Sequence, residues 1–136
     1  MARKKQWIRI TRAPRPAPPD EAEKGAIVAA CEAFIRVVLK PRFLPAITPT
    51  QWNYVIDIHR GWPAGRYCFM QRYRSGMEHN RGEEFDAPFA RLDRTGRDRF
   101  DIYWMRHTGK WRRLHEGATL VEALRIMETD GHLHPV

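Results

Sequence analysis

Apolar residues recur with the period of an α-helix in two segments of the chain. The first stripe consists of Ile27, Cys31, Phe34 and Val38. Intervals of four, three and four residues place these side chains on one face of a helix. Asp20 and Glu23 form a pattern typical of a helix N-terminus, because the Asp20 side chain can accept a hydrogen bond from a free backbone amide. Pro41 lacks an amide donor and is predicted to end this helix.

The second helical stripe lies near the end of the sequence. It consists of Leu120, Ala123, Leu124 and Met127. Thr119 stands just before the stripe and Glu122 follows three residues later, which is the same capping pattern as Asp20 and Glu23. Gly131 follows the last apolar position and is predicted to stop the helix.

Between the helices the hydrophobic period changes to two, which is typical of β-strands. Extended segments are predicted at residues 52–59, 66–74, 89–94, 99–106 and 110–115, with Thr-Gly turns at residues 95–96 and 108–109. In the fourth segment, one face is predicted to carry Phe100, Ile102 and Trp104, and the other Asp101, Tyr103 and Met105. The order of elements predicts an α+β domain over residues 20–136. An N-terminal helix, an antiparallel sheet of four or five strands and a C-terminal helix are expected, with the helices packed on one face.

The chain has 136 residues, a length that suits a single domain. Its net charge of +8 is concentrated at the start, where residues 1–19 hold six cations and no acid and end in a proline-rich stretch. This leader is expected to be semi-rigid, and Gln6 to Ile10 could form an edge strand. Arginine outnumbers lysine 19 to 5. That bias suits phosphate contacts, but a GC-rich genome would produce the same excess.

Two cysteines, Cys31 and Cys68, are too few for a disulfide framework or a cysteine-based zinc site. Both are predicted to be reduced core residues, which favours a cytoplasmic location. No apolar run is long enough to span a bilayer, and no secretory signal is visible. No membrane association is expected.

Several strings resemble an uncharacterised bacterial family catalogued as domain of unknown function 3024. The resemblance runs from about Glu21 to Asp130, and it rests on the order of elements and on four local segments. These segments are Lys40-Pro41-Arg42, Ala87-Pro88-Phe89-Ala90-Arg91-Leu92, residues 100–106 and residues 110–115. The resemblance implies no established activity.

The second predicted hairpin interleaves cations with aromatic rings, a combination that suits single-stranded nucleic acid. Cations hold phosphate, while planar rings stack on bases, and the leader adds a salt-dependent electrostatic contribution. The predicted nucleic-acid-binding residues are Arg3, Lys4, Lys5, Arg9, Arg12, Arg15, Tyr103, Arg106, His107, Lys110, Trp111, Arg112 and Arg113. The alternative is structural: Trp104 and either Trp111 or Leu114 build the core, while arginines coat the open face.

Candidate catalytic chemistry is sparse. Asp57 and His59 could ligate a metal together with Glu78, His79 or Asp86, but no established ligand motif is present. Another metal pair is conceivable at His132 and His134, near the chain end. The single serine, Ser75, has no evident activating base, and the glycines form no phosphate loop.

The leading hypothesis is therefore a small non-catalytic binding domain, without a cofactor or metal, whose partner is nucleic acid or another acidic molecule. The competing hypothesis is a protein-interaction or homodimeric module, since a sheet rich in Trp and Tyr often leaves an edge or face for another chain. A metal-dependent hydrolase or nuclease using Asp57, His59 and His79 is the third.

Overall fold

Five antiparallel strands form a meander, and helices from both ends of the chain pack on one side of it. The computed structural model describes residues 17–61 and 66–136. The strands are β1 (Asn53–Gly61), β2 (Arg66–Ser75), β3 (Glu84–Gly96), β4 (Arg99–Met105) and β5 (Trp111–Ala118), and they lie in the order β1-β2-β3-β4-β5. The helices are α1 (Glu21–Phe34), α2 (Lys40–Phe43) and α3 (Leu120–Thr129). Short 3-10 turns span Glu78–Asn80 and Gly131–Leu133. This architecture confirms the predicted α+β class and its antiparallel sheet.

Both predicted helix starts are confirmed by their capping hydrogen bonds. The amide of Glu23 donates to Oδ1 of Asp20 over 2.7 Å, and the amide of Glu122 donates to Oγ1 of Thr119 over 3.2 Å. Each bond satisfies an amide that has no partner within its own helix.

The predicted stop at Pro41 is wrong. Residues Ile35–Leu39 form a π-helical turn that joins α1 to α2, and the helical path continues to Phe43. In this wider turn the amide of Lys40 donates to the carbonyl of Ile35, five residues back. Pro41 therefore falls in the first turn of α2, where a missing amide leaves no hydrogen bond unmade.

The core lies between the helices and one face of the sheet. Strand register places Phe69, Ala90 and Trp104 on this face in one row, because Phe69 pairs with Ala90 and Ala90 with Trp104. Phe100 and Ile102 are fully buried, as the alternation in β4 predicts. We call this the helix face, and its reverse the open face. None of the described helices is long and apolar enough to cross a membrane.

Strand β1 departs from the predicted alternation. Its pairing with β2 shifts between Val55 and Asp57, so an extra residue interrupts the period of two. Ile58 is fully buried, whereas Trp52 precedes the strand and is 64% exposed. Strand β3 is also longer than predicted, since pairing with β2 begins at Glu84 and passes a second irregularity opposite Phe69 and Met70.

A partly buried ion pair fixes the start of α1 against the sheet. Arg94 of β3 donates from Nε and Nη2 to the two carboxylate oxygens of Glu23 over 2.9 and 3.0 Å. These hydrogen bonds lower the pKa of Glu23, although partial burial opposes the shift. Such two-point pairing gives geometric specificity as well as energy, so it sets the position of α1 over β3.

Both cysteines are buried and free, as predicted. Burial raises the pKa of Cys31 to about 12 and also raises that of Cys68. Since the thiolate is the reactive form, both thiols are unreactive components of the fold.

Candidate binding surfaces on the β4–β5 hairpin

The aromatic and basic residues predicted as one cluster are divided between the two faces of the sheet. Tyr103 pairs with Arg91 of β3 and with Arg113 of β5, and Trp111 pairs with Met105, which places both rings on the open face. Arg106 and His107 instead line a groove on the helix face. Alternation along β4 causes the division, because successive side chains point to opposite sides of a sheet.

On the open face, one guanidinium organises both rings. The Cζ atom of Arg91 lies 4.3 Å from the ring centroid of Tyr103 and 4.8 Å from that of Trp111. Arg91 also donates from Nε and Nη2 to the two oxygens of Asp93, over 2.8 and 3.0 Å. The residue is 7% exposed. Its charge is therefore satisfied by a carboxylate and by two aromatic faces, and both rings remain partly exposed.

The other predicted cations of the hairpin are exposed. Arg113 lies 3.7 Å from a carboxylate oxygen of Asp101 and 3.5 Å from one of Glu116. Lys110 and Arg112 take part in no ion pair with the described residues. Positive charge thus remains uncompensated where β5 begins. The leader cations, from Arg3 to Arg15, and the edge strand predicted at Gln6 to Ile10 lie outside the described residues.

The groove lies on the helix face, between the sheet and the last residues of the chain. It has a volume of about 1030 Å³. Strands β2, β3 and β4 form one wall, and residues 129–136 form the other. Gln71 of β2 holds this terminal segment in place, because its side chain accepts from the amide of Val136 and donates to the carbonyl of Val136. Leu133 is fully buried in the core and anchors the same segment.

Two of the residues that line this groove have a buried donor without a partner. Among the described residues, the buried side-chain nitrogen and oxygen atoms that lack a hydrogen bond are Nε1 of Trp104 and Nε of Arg106. These residues are two apart along the chain, so both side chains lie on the helix face. The ring of His132 meets the Trp104 ring edge-on, with 4.9 Å between centroids. A buried donor without a hydrogen bond destabilises the folded protein. This part of the groove therefore lacks a hydrogen-bond acceptor.

Asp130 connects the groove to β5 through two histidines. Its carboxylate accepts from Nε2 of His115 over 3.3 Å and contacts Nδ1 of His132 over 3.0 Å. The backbone amide of His132 donates to the same carboxylate over 3.0 Å. Burial alone would raise the pKa of Asp130, but these hydrogen bonds outweigh it and hold the pKa below its usual value. His132 is thereby fixed beside Trp104.

The residues proposed as metal ligands are held in separate arrangements. His59 contacts Asp86 over 2.8 Å, and the same oxygen of Asp86 accepts from Arg72 over 3.1 Å. Asp57 instead pairs with Lys40 of α2 at 3.0 Å, while His79 lies in the turn between β2 and β3. In the described part of the chain, no three His, Cys, Asp or Glu side chains gather in a way that could hold a metal ion.

His132 and His134 are also held apart. His132 contacts Asp130, whereas Nε2 of His134 lies 2.8 Å from the carbonyl of Glu128. The ring of His134 packs against Phe43, with 4.9 Å between centroids. Each ring thus has its own partners in the fold.

Comparison with known proteins decides the family. A family model described as "Domain of unknown function (DUF3024)" matches residues 18–134. The chain belongs to this family. Searches of curated proteins and of solved structures found no match. The matched region includes the whole described sheet, both surfaces of the hairpin and the groove except for its lining residue Val136.

Sequence reasoning did not include Arg91, Trp104 and Asp130 among the site residues. For Trp104 a signal was available: it precedes Arg106 by two positions, so the two share a face of β4. Arg91 gave a weaker signal, since its place between the two rings depends on the register of three strands. The contact of Asp130 with His115 depends on how the end of the chain packs, for which no local pattern exists.

Proposed function

We propose that this domain binds single-stranded nucleic acid through the open face of the β4–β5 hairpin, with the basic leader adding affinity. The observation that carries the proposal is the pair of partly exposed rings, Tyr103 and Trp111, held in place by the buried Arg91. Aromatic rings fixed in advance lose little conformational freedom when a base stacks on them. Catalysis is not part of the proposal.

The distribution of charge supports the same surface. Lys110 is exposed just before β5, and Arg113, which pairs with Tyr103 on the open face, is only partly compensated by carboxylates at 3.5 and 3.7 Å. Arg112 is exposed too, but it pairs with Trp104 and therefore lies on the helix face. Exposed cations beside stacking platforms are the combination with which proteins bind single strands without reading sequence. Phosphate contacts would make the affinity depend strongly on salt.

Pairing of sheet edges between two copies of the chain is less well supported. The order of strands leaves β1 and β5 as the edges of the described sheet. Both edges carry charged side chains, among them Asp57 and Arg60 on β1 and Glu116 on β5. Charges on an edge strand oppose pairing with another chain, so we favour nucleic acid over a homodimer.

The test is fluorescence anisotropy of the full-length protein with labelled oligo(dT) and oligo(U) at two salt concentrations. Trp111→Ala should weaken binding about tenfold, since stacking on one base contributes about 1–3 kcal/mol. The double variant K110Q/R113Q should reduce the slope of log affinity against log salt by about 1.4, because each of the two removed cations accounts for about 0.7 when it neutralises one phosphate.

Trp52→Ala is the matched aromatic control, because Trp52 is 64% exposed and lies outside the hairpin. It should leave the affinity unchanged. Urea unfolding of Trp111→Ala would show whether weaker binding reflects lost structure, and the charge variant provides a second measurement that does not depend on packing. Absence of binding at low salt, or an equal loss in both tryptophan variants, would refute the proposal. A stable dimer that buries Tyr103 and Trp111 in sedimentation would instead support the protein-interaction alternative.

A further inference from the structure

We propose that the groove on the helix face is a second binding site, which takes a small organic oxyanion, a carboxylate or phosphate, carried on a flat apolar body. The site is formed by Trp104 of β4 and by Arg106, just after that strand, against the terminal segment around His132. It is separate from the open face and does not depend on the function proposed above.

The two unpartnered donors define the polar end of the ligand. Nε1 of Trp104 and Nε of Arg106 can only donate, so a group that satisfies both must accept twice. Positions two residues apart in an extended chain are separated by about 6.6 Å along the backbone. One oxyanion bonded to each donor over about 2.9 Å can bridge such a separation. A guanidinium also favours an acceptor that carries negative charge.

The surroundings of the donors are compatible with an anion. The carboxylate of Asp130 lines the same groove, but it already accepts from His115 and His132 and from the backbone of His132. Its charge is therefore turned toward partners within the protein. His132 packs against Trp104 in a T-shaped arrangement, so this imidazole forms part of the wall around the indole.

The remainder of the groove defines the rest of the ligand. Ala87, Pro88 and Phe89 of β3 line it, together with Tyr73 of β2. The ring of Tyr73 stacks on Phe85 at 5.3 Å, with the planes 10° apart. A groove of about 1030 Å³ with mainly apolar walls and a few polar groups suits a small organic ligand. Flat apolar groups of the ligand would pack in the groove against Tyr73 and Phe89.

The experiment follows the indole N–H resonance of Trp104 by NMR in the full-length ¹⁵N-labelled protein. Benzoate and phenyl phosphate are the probes, and benzyl alcohol and inorganic phosphate are the controls that lack the charge or the apolar body. The Trp104→Phe variant identifies the resonance by removing it. Both oxyanion probes should shift this signal at concentrations up to about 10 mM, the range of weak binding, and the tighter probe shows which oxyanion the site prefers.

Isothermal titration of the variants then tests the assigned donors. Trp104→Phe and Arg106→Gln should each weaken probe binding about tenfold or more, the loss expected for a hydrogen bond to a charged acceptor. Arg125→Gln is the matched control, because it removes the same charge from an exposed position on α3 outside the groove. It should leave probe affinity unchanged.

Three results would overturn the proposal. The first is an unmoved Trp104 resonance with both oxyanion probes. The second is an equal shift with benzyl alcohol or with inorganic phosphate, and the third is an equal loss of affinity in Arg125→Gln. Nucleic-acid binding is measured in a separate assay with Trp111→Ala, so failure of one proposal leaves the other intact.

Discussion

The two faces of the sheet at the β4–β5 hairpin both combine arginine with aromatic rings, but the hydrogen-bonding groups of these residues have partners on one face and lack them on the other. On the open face, Arg91 is buried between Tyr103 and Trp111 and bonded at two points to Asp93. On the helix face, the buried nitrogens of Trp104 and Arg106 have no hydrogen-bond partner among the described residues. One arrangement is complete within the protein, and the other lacks an acceptor.

The presence or absence of a hydrogen-bond partner distinguishes structural from binding residues better than the residue types do, because both faces contain arginine and aromatic residues. A cation among aromatic rings stabilises the fold when a carboxylate of the same chain completes it, as Asp93 does for Arg91. Buried donors without acceptors destabilise the fold until another molecule supplies an acceptor. The open face therefore offers ring surfaces, whereas the groove offers hydrogen bonds. The following predictions test that distinction, from the largest expected effect to the smallest.

Arg91→Met should reduce the free energy of unfolding by about 3 kcal/mol, because Asp93 loses its partner in a partly buried site. Urea unfolding measures the change. The matched control is Arg112→Met, an exposed cation on β5, which should cost less than about 0.5 kcal/mol. In the double variant R91M/D93N part of the loss should be recovered, since both charges are then gone. Equal losses for Arg91 and Arg112 would show that the open-face cluster is not a structural unit.

Asp130→Asn should cost about 1–2 kcal/mol at neutral pH, through weaker hydrogen bonds from His115 and His132. The pKa of Asp130 is lowered in the folded protein. The Asp130 carboxylate therefore stabilises the fold above the ordinary carboxyl pKa of about 3.9. This stabilisation is lost as the pH falls through the lowered pKa of Asp130 in the folded protein. Urea unfolding across this acidic range should show a shallower pH dependence in the variant. Glu116→Gln, an exposed carboxyl change on β5, should leave the profile as in the unaltered protein.

Trp104→Phe should change the stability of the ligand-free protein by no more than about 1 kcal/mol, because the weaker packing of a smaller ring is offset by removal of an unsatisfied donor. Thermal or urea unfolding measures this, with Trp52→Phe as the exposed control. A loss above about 2 kcal/mol would mean that the indole nitrogen has a partner in the folded protein, and that the contrast between the two faces is wrong.

Local features of the fold were predictable because they depend on nearby residues. The caps at Asp20 and Thr119 and the faces of β4 follow from spacings of two or three positions. The end of the first helix was not predictable in this way. A π-helical turn before Pro41 shifts the hydrogen bonding so that the proline ring is accommodated. The interruption in β1 likewise depends on its pairing with β2.

The candidate sites show the same division. The sequence prediction grouped Tyr103, Arg106 and Trp111 because they are close in the chain. It overlooked the alternation of side chains, which places Arg106 on the helix face and the two rings on the open face. The position of Arg91 between two rings required the register of β3, β4 and β5. The groove required the terminal segment to return to Gln71, 65 residues earlier.

The sequence by itself determined the class of fold, the capped helix starts, the buried cysteines and the concentration of charge in the leader, since each depends on composition or on neighbours a few positions apart. Tertiary structure alone decided which cation is enclosed, which donors lack acceptors and which strands meet the end of the chain. Hydrogen bonds and ring contacts act over a few ångströms of space, and only folding brings distant positions that close.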